Sequence, residues 1–100
     1  MVSLDLIKQY LRIDGNYEDG LLEVLKTNAI HYIDDSVDNM DWTNEKVLDK
    51  ATLLILVLVS DWYENREYMH EGKTSQGVKY TVHSLLLQLK AICLGDADEI

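Results

Sequence analysis

The sequence predicts an all-α domain, a small bundle of about four helices around a central apolar helix, with a loop before the last one. Three observations predict it. The middle of the stretch from Asn44 to Met69, Ala51-Thr-Leu-Leu-Ile-Leu-Val-Leu-Val59, is greasy on every side, and a helix apolar all round must be covered all round. The segments before and after it repeat their apolar residues at a 3.6-residue period. The chain contains no proline, the residue that interrupts helices most strongly.

The elements follow in order. Ser3 is placed to cap a first helix over about Leu4 to Arg12, with Leu4, Ile7, Tyr10 and Leu11 on one face. Gly15 and Asn16 mark a turn. Asn16 then caps a second helix, about Tyr17 to Val37, with Glu18 and Asp19 well placed in its first turn. Its stripe is Leu21, Leu22, Leu25, Ala29, Tyr32, Ile33 and Val37. A polar loop holding Trp42 leads to Thr43 or Asn44 as cap of the third helix. There the stripe Val47, Leu48, Ala51, Leu54, Ile55, Leu58 and Trp62 is joined by Leu53, Leu56, Val57 and Val59 on other faces. The β-branched run alone could be a buried strand, but both flanks continue the helical period unbroken. His70 to Gly77 reads as a loop and Val78-Lys-Tyr80 as extended. A last helix from about Thr81 to Leu94 turns Val82, Leu85, Leu86, Leu89 and Ile92 inward. Gly95 should stop it, leaving a short acidic mobile tail.

One hundred residues make a single domain, 1–100, with a feasible but modest core. So few elements cannot easily cover the central helix, which points to burial completed against a partner, copies of itself included. The net charge is −9, and Lys and Arg are scattered singly, a poor surface for nucleic acid or anionic lipid. A lone cysteine, Cys93, and an N-terminus without a basic, signal-like region suit a reducing interior. The apolar run Leu53–Val59 is far below the roughly 18–20 residues that span a bilayer.

Several constellations suggest chemistry weakly. Asp34, Ser36, Asp38 and Glu45 fall at calcium-loop positions 1, 3, 5 and 12, but Asn39 replaces the position-6 glycine, and an acidic solvated linker is the better reading. His31, His70 and His83 lack ligand spacing. Cys93, on the last turn of an amphipathic helix, reads as a packed small residue rather than a nucleophile. Asp61, Glu64 and Glu67 could be paired carboxylates for acid–base work, yet an exposed face at a helix end explains them as well. Trp62 and Arg66 are spaced to stack; alternatively Arg66 meets a carboxylate of a neighbouring subunit. No cofactor or metal site is expected.

Four segments carry a resemblance to a known family. These are Ser3-Leu-Asp-Leu-Ile-Lys-Gln-Tyr-Leu-Arg-Ile-Asp14, Asp19-Gly-Leu-Leu-Glu23, Leu58-Val-Ser-Asp-Trp-Tyr-Glu-Asn-Arg-Glu67 and Val78-Lys-Tyr-Thr-Val-His-Ser-Leu-Leu86. In order and spacing they resemble the phage head–tail connector family, small helical adaptors beneath the portal of tailed phages and prophages. The fourth departs from the family pattern, with Lys79 where proline is usual and Thr81 where glycine is usual.

The resemblance implies a homo-oligomeric ring of about twelve copies. It implies docking on the portal protein, a platform for the next connector or tail-completion protein, and location in the virion after assembly in the host cytoplasm. DNA would pass without specific binding; no membrane and no catalysis are involved. Trp62, Tyr63, Asn65 and Arg66 are the candidates to fix the central helix end or a subunit contact. The loop residues His70, Glu71, Lys73, Thr74 and Gln76 are candidates for contact with a neighbour or the portal. In such a ring the tail acids Asp96, Asp98 and Glu99 and the loop Asp34–Asp41 are candidates to line the lumen. The competing reading is a small acidic regulatory protein, antitoxin-like or an inhibitor module, that binds a basic partner.

Overall fold

The structure, a computed structural model, describes residues 2–98, with side chains as far as residue 94. Five helices follow one another among these residues: α1 Leu4–Leu11, α2 Asp19–Ser36, α3 Glu45–Glu64, α4 Arg66–Glu71 and α5 Gln76–Asp98. The expected all-α bundle is observed, with α3 at its centre. α3 packs against each of the other four helices, and α1 also packs on α2.

The Ser3 hydroxyl accepts from the Leu6 N–H at 3.1 Å and caps α1. The helix ends at Arg12, which takes a left-handed conformation, and Gly15 supplies the positive φ that the following turn needs. Ile7 is fully buried, but Tyr10 is not; a two-turn helix offers one narrow face to α2 and α3. α2 starts at Asp19, two residues later than expected, and Asn16 does not cap it. Lys8 of α1 takes both groups instead: its Nζ lies 3.1 Å from Asn16 Oδ1 and 2.5 Å from Asp19 Oδ1. This cross-link ties α1 to the start of α2. Leu22, Leu25, Ala29, Ile33 and Val37 are buried along the predicted stripe of α2.

The α2–α3 loop closes through local bonds. Asp41 Oδ1 accepts from the Thr43 hydroxyl at 2.6 Å and its N–H at 3.0 Å, which hold the Asp41 carboxyl below its ordinary range. Trp42 Nε1 donates to Asp34 Oδ1 at 3.1 Å, and Ser36 Oγ donates to the Tyr32 carbonyl. Asp34 and Ser36 lie within α2 and are occupied in these bonds. Asn44 caps α3, accepting from Lys46 and Val47 N–H groups.

Leu54 to Val59 are six consecutive buried residues. At 100° per residue they sweep the full circumference of α3, so the helix is enclosed at its middle. Leu53 remains exposed, in a shallow notch beside Lys50 and Ile92. Val82, Leu85 and Leu89 of α5 close one side of the core.

Two boundaries differ from expectation. The central helix does not run unbroken to Met69: Asn65 leaves helical geometry, and a separate turn of helix, α4, follows. α5 begins at Gln76 rather than Thr81, so Val78–Tyr80 is helical, and it runs through Gly95 to Asp98. With Lys79 and Thr81 in place of a proline and a glycine, nothing after Gly77 breaks the helical period. Of the tail expected to be mobile, Glu99 and Ile100 lie outside the described residues.

Leu58 has no accessible surface. Leu58→Asp would place an unpaired charge where no water reaches. The variant is expected to lose its cooperative thermal transition in far-ultraviolet circular dichroism. A native-like melting curve would refute the central position of α3.

Candidate interaction surface

The chain reverses direction at the end of α3, where three consecutive α3 side chains make hydrogen bonds to distant segments. Trp62 is 1% exposed. Its Nε1 donates to the Lys73 carbonyl at 2.8 Å, and its ring meets Tyr32 of α2 edge-on, centroids 5.7 Å apart. Asp61 is the one buried charged side chain among the described residues, and its carboxylate accepts from the Ser75 N–H at 2.9 Å and the Ser75 hydroxyl at 2.6 Å. Ser75 immediately precedes α5. A buried carboxylate at the start of a helix satisfies N–H groups that the helix itself cannot and lies at the favourable end of the helix dipole. Asp61 therefore departs from the exposed carboxylate face expected with Glu64 and Glu67. The third side chain, Tyr63, donates its hydroxyl to Glu18 just before α2. That bond, aided by desolvation and the negative charge of Glu18, raises the Tyr63 phenol above its ordinary value of 10.0.

The break in α3 is made by Asn65. Its N–H donates to the Asp61 carbonyl at 2.9 Å, and its side-chain amide reaches the same oxygen at 3.4 Å. The chain then makes the single turn α4 and ends it on a left-handed Gly72. The Lys73 N–H returns to the Tyr68 carbonyl at 2.8 Å, which points the Lys73 carbonyl at Trp62.

This reversal leaves an open groove of about 930 Å³ between α2, α4 and the start of α5. Tyr32, Tyr68 and Tyr80 give it aromatic walls; Lys73, Lys79 and His83 give it donors; no Asp or Glu lines it. In a chain of net charge −9 this is a local inversion of sign. Such a surface can hold an acidic or amide-rich protein segment by stacking and charge-assisted hydrogen bonds.

The sequence-predicted residues divide among three places. Trp62 and Asn65 shape the reversal, and Tyr63 beside them ties the end of α3 to Glu18. Trp62 is interior, and its aromatic neighbour is Tyr32, so the proposed stack on Arg66 is replaced by an internal contact. Arg66, His70 and Glu71 are exposed on α4, outside the groove lining. Lys73, Thr74 and Gln76 come together in the groove. Sequence reasoning missed Asp61, Ser75, Lys79, Tyr80 and His83. The usable signal was the inner period of the last helix, which extends back to Val78 and places Ser75 just ahead of its first turn.

Among the described residues no three His, Cys, Asp or Glu side chains are grouped to hold a metal ion, and no helix is long and apolar enough to cross a membrane. The fold is that of a small all-α module. The chain belongs to the family described as Phage gp6-like head-tail connector protein, whose model matches residues 1–92. It is thus a structural connector of a phage particle, in a family that associates with portal and tail proteins. This favours the connector over the acidic regulatory module. No curated protein and no solved structure matches the chain.

The Asp61 clasp has a measurable weight. Asp61→Ala removes both acceptors and strands the Ser75 N–H, and should lower unfolding free energy by about 2–3 kcal/mol, against about 1 kcal/mol for Ser75→Ala, which keeps the backbone bond. Urea titration reads both; equal losses would mean that the backbone bond contributes nothing.

Tyr63 predicts an alkaline limb. A phenol raised in the folded state contributes stability that is complete below its unfolded value and lost as pH rises through the folded one. Burial raises Tyr32 with the same sign. The melting temperature should fall as pH rises above 10. Tyr63→Phe should melt lower at pH 7, because Glu18 loses its donor, and show a shallower alkaline fall. Melts across pH 7–11 test this, and an unchanged alkaline slope would detach Tyr63 from the effect.

Proposed function

We propose that copies of the chain form a ring of about twelve beneath the portal, close the packaged head and offer a platform to the next connector or tail-completion protein. The observation that carries the reading is the family match over nearly the whole chain. The groove supports it, being a concave surface with aromatic walls and lysine donors beside the chain reversal, suited to holding a segment of another protein. The work proposed is positional: the chain joins proteins and catalyses no reaction. Its place is the virion, after assembly in the host cytoplasm.

The acidity fits a conduit. A ring of about twelve copies, each with net charge −9, carries on the order of −100 charges before screening. Salt limits the reach of that field to about 8–10 Å, so the residues that face the passage decide its effect. A basic wall would bind phosphates and release counterions, holding the genome in place, whereas an acidic wall lets it slide. Asp38 and Asp41 of the α2–α3 loop and the acids that close the chain are the candidates for that wall.

Portal assemblies of the same phage, mixed with the purified chain and centrifuged, should carry it into the pellet. Duplex DNA at physiological salt should show no gel shift. A chain left in the supernatant would overturn the portal-docking reading, and submicromolar, salt-sensitive DNA binding would overturn the sliding argument.

A further inference from the structure

α5 carries two apolar stripes. Val78, Val82, Leu85, Leu89 and Ile92 face the core. A second series, Tyr80, Ser84, Leu87, Ala91 and Leu94, repeats at the same alternating spacing of four and three. It is displaced by two residues, which places it on the opposite side of the helix, about 160–200° away. Its large members are open to solvent: Tyr80 83%, Leu87 51% and Leu94 50% exposed. A seam with this spacing is the kind that packs against another helix, and among the described residues no helix covers it.

The charge around the seam restricts the partner. Between residues 72 and 94 there are three lysines and no Asp or Glu. Lys79 and Lys90, eleven residues apart, lie on one flank of the seam. Pairing antiparallel with a second α5 would set these lysines against each other, and pairing parallel would set them against the flank of Thr81 and Gln88, with no acid in either case, so the partner needs an acidic flank. α2 has one. Its outward face bears Gly20, Val24, Thr27 and His31, and Glu23 and Asp34 line one flank, also eleven residues apart. Eleven residues make almost a whole number of turns and roughly 16 Å of rise, so the two pairs match in length. Both pairs lie on the same-handed flank of their helices, and such flanks meet when the helices run antiparallel.

Side-chain size fits the same register. With Lys79 opposite Asp34 and Lys90 opposite Glu23, Leu87 comes between Val24 and Thr27, and Leu94 comes over Gly20. Val24 is 49% exposed, and a Cβ added at Gly20 would meet nothing within 4 Å, which leaves room for a large side chain from outside. Glu23 also faces Lys26 at 3.5 Å, and Asp34 accepts from Trp42; each carboxylate has a second oxygen to offer.

We propose that α5 of one copy packs antiparallel on α2 of the next, seating Leu87 and Leu94 against Val24 and Gly20 and pairing Lys79 with Asp34 and Lys90 with Glu23. The inference rests on the ring reading above and supplies the contact. Because the two faces belong to different helices, the contact is heterologous. Each added copy presents a fresh α5 face and a fresh α2 face, and such a series closes into a ring when its rotation allows.

The test is charge exchange read by sedimentation velocity at high micromolar protein and low salt, with circular dichroism to verify folding. All the substituted positions lie on the surface. Wild type should form species larger than the monomer. K79E/K90E and E23K/D34K should each weaken association by at least about tenfold, since like charges then face each other. An equimolar mixture of the two double variants should recover it, as each supplies the face that the other needs. Leu87→Glu should abolish association with no such rescue. A wild type that stays monomeric throughout, a double variant that associates as wild type does, or a mixture that stays monomeric would each overturn the pairing. Portal co-sedimentation separates the two readings: a chain that pellets with portal yet fails here loses this contact and keeps its connector role. A chain that associates here yet ignores portal does the reverse.

Discussion

The enclosure of α3 is the constraint on which the rest of the molecule depends. A helix with six consecutive buried residues at its middle has no face open to water there, and every other helix lies against it. In a chain of 100 residues this fixes the plan. α2 and α5 take the long sides, while α1 and α4 take what remains. The cost of leaving apolar area wet, about 25 cal/mol per Å², is enough to override local preferences. Tyr10 and Leu53 stay exposed, each on a face that no other described helix covers.

Enclosure requires the chain to return after α3, and the return is built from polar groups. Trp62 buries its ring in the core and gives its one donor to the Lys73 carbonyl. Asp61 gives its carboxylate to Ser75. These bonds span eleven and fourteen residues, so they set where α5 begins and how it lies on α3. A buried carboxylate without such partners would be strongly destabilising; with them it fixes one direction for the returning helix. The groove is a by-product of the same bonds, because α4 and Gly72 bow outward between the two anchored points.

Periodic apolar burial was legible in the sequence, and pairing between distant polar groups was not. The stripes of α2 and α3 and the caps Ser3 and Asn44 were readable, since each depends on residues a few positions apart. Asn16 looked like a cap on equally good local grounds. Lys8, eight residues earlier, claims its oxygen, and only the packing of α1 on α2 brings them together. Asp61 failed for the same reason: as one of three spaced carboxylates it suited an exposed face, and its partner lies fourteen residues on. The start of α5 was misplaced because Gly72, Ser75 and Gly77 read as loop residues. Only Gly72 needs a left-handed backbone; Gly77 is accommodated within the helix. Of the candidate surface, Lys73, Thr74 and Gln76 were placed near one another by sequence, while Tyr32 and Tyr68 joined them only through the reversal.

Uneven charge gives this plan its direction. Acids crowd the segment from Glu18 to Glu45, whereas residues 72 to 94 have none. Among the described residues no ion pair joins the two segments inside one copy; α3 packs against both α2 and α5. Each molecule is left with an acidic flank and a basic flank on different helices. A molecule of that kind gains little from pairing like face to like face and more from pairing unlike faces, which is the condition for head-to-tail growth. The enclosed helix that fixes the fold thus also carries both surfaces, one on each of the two long helices packed against it.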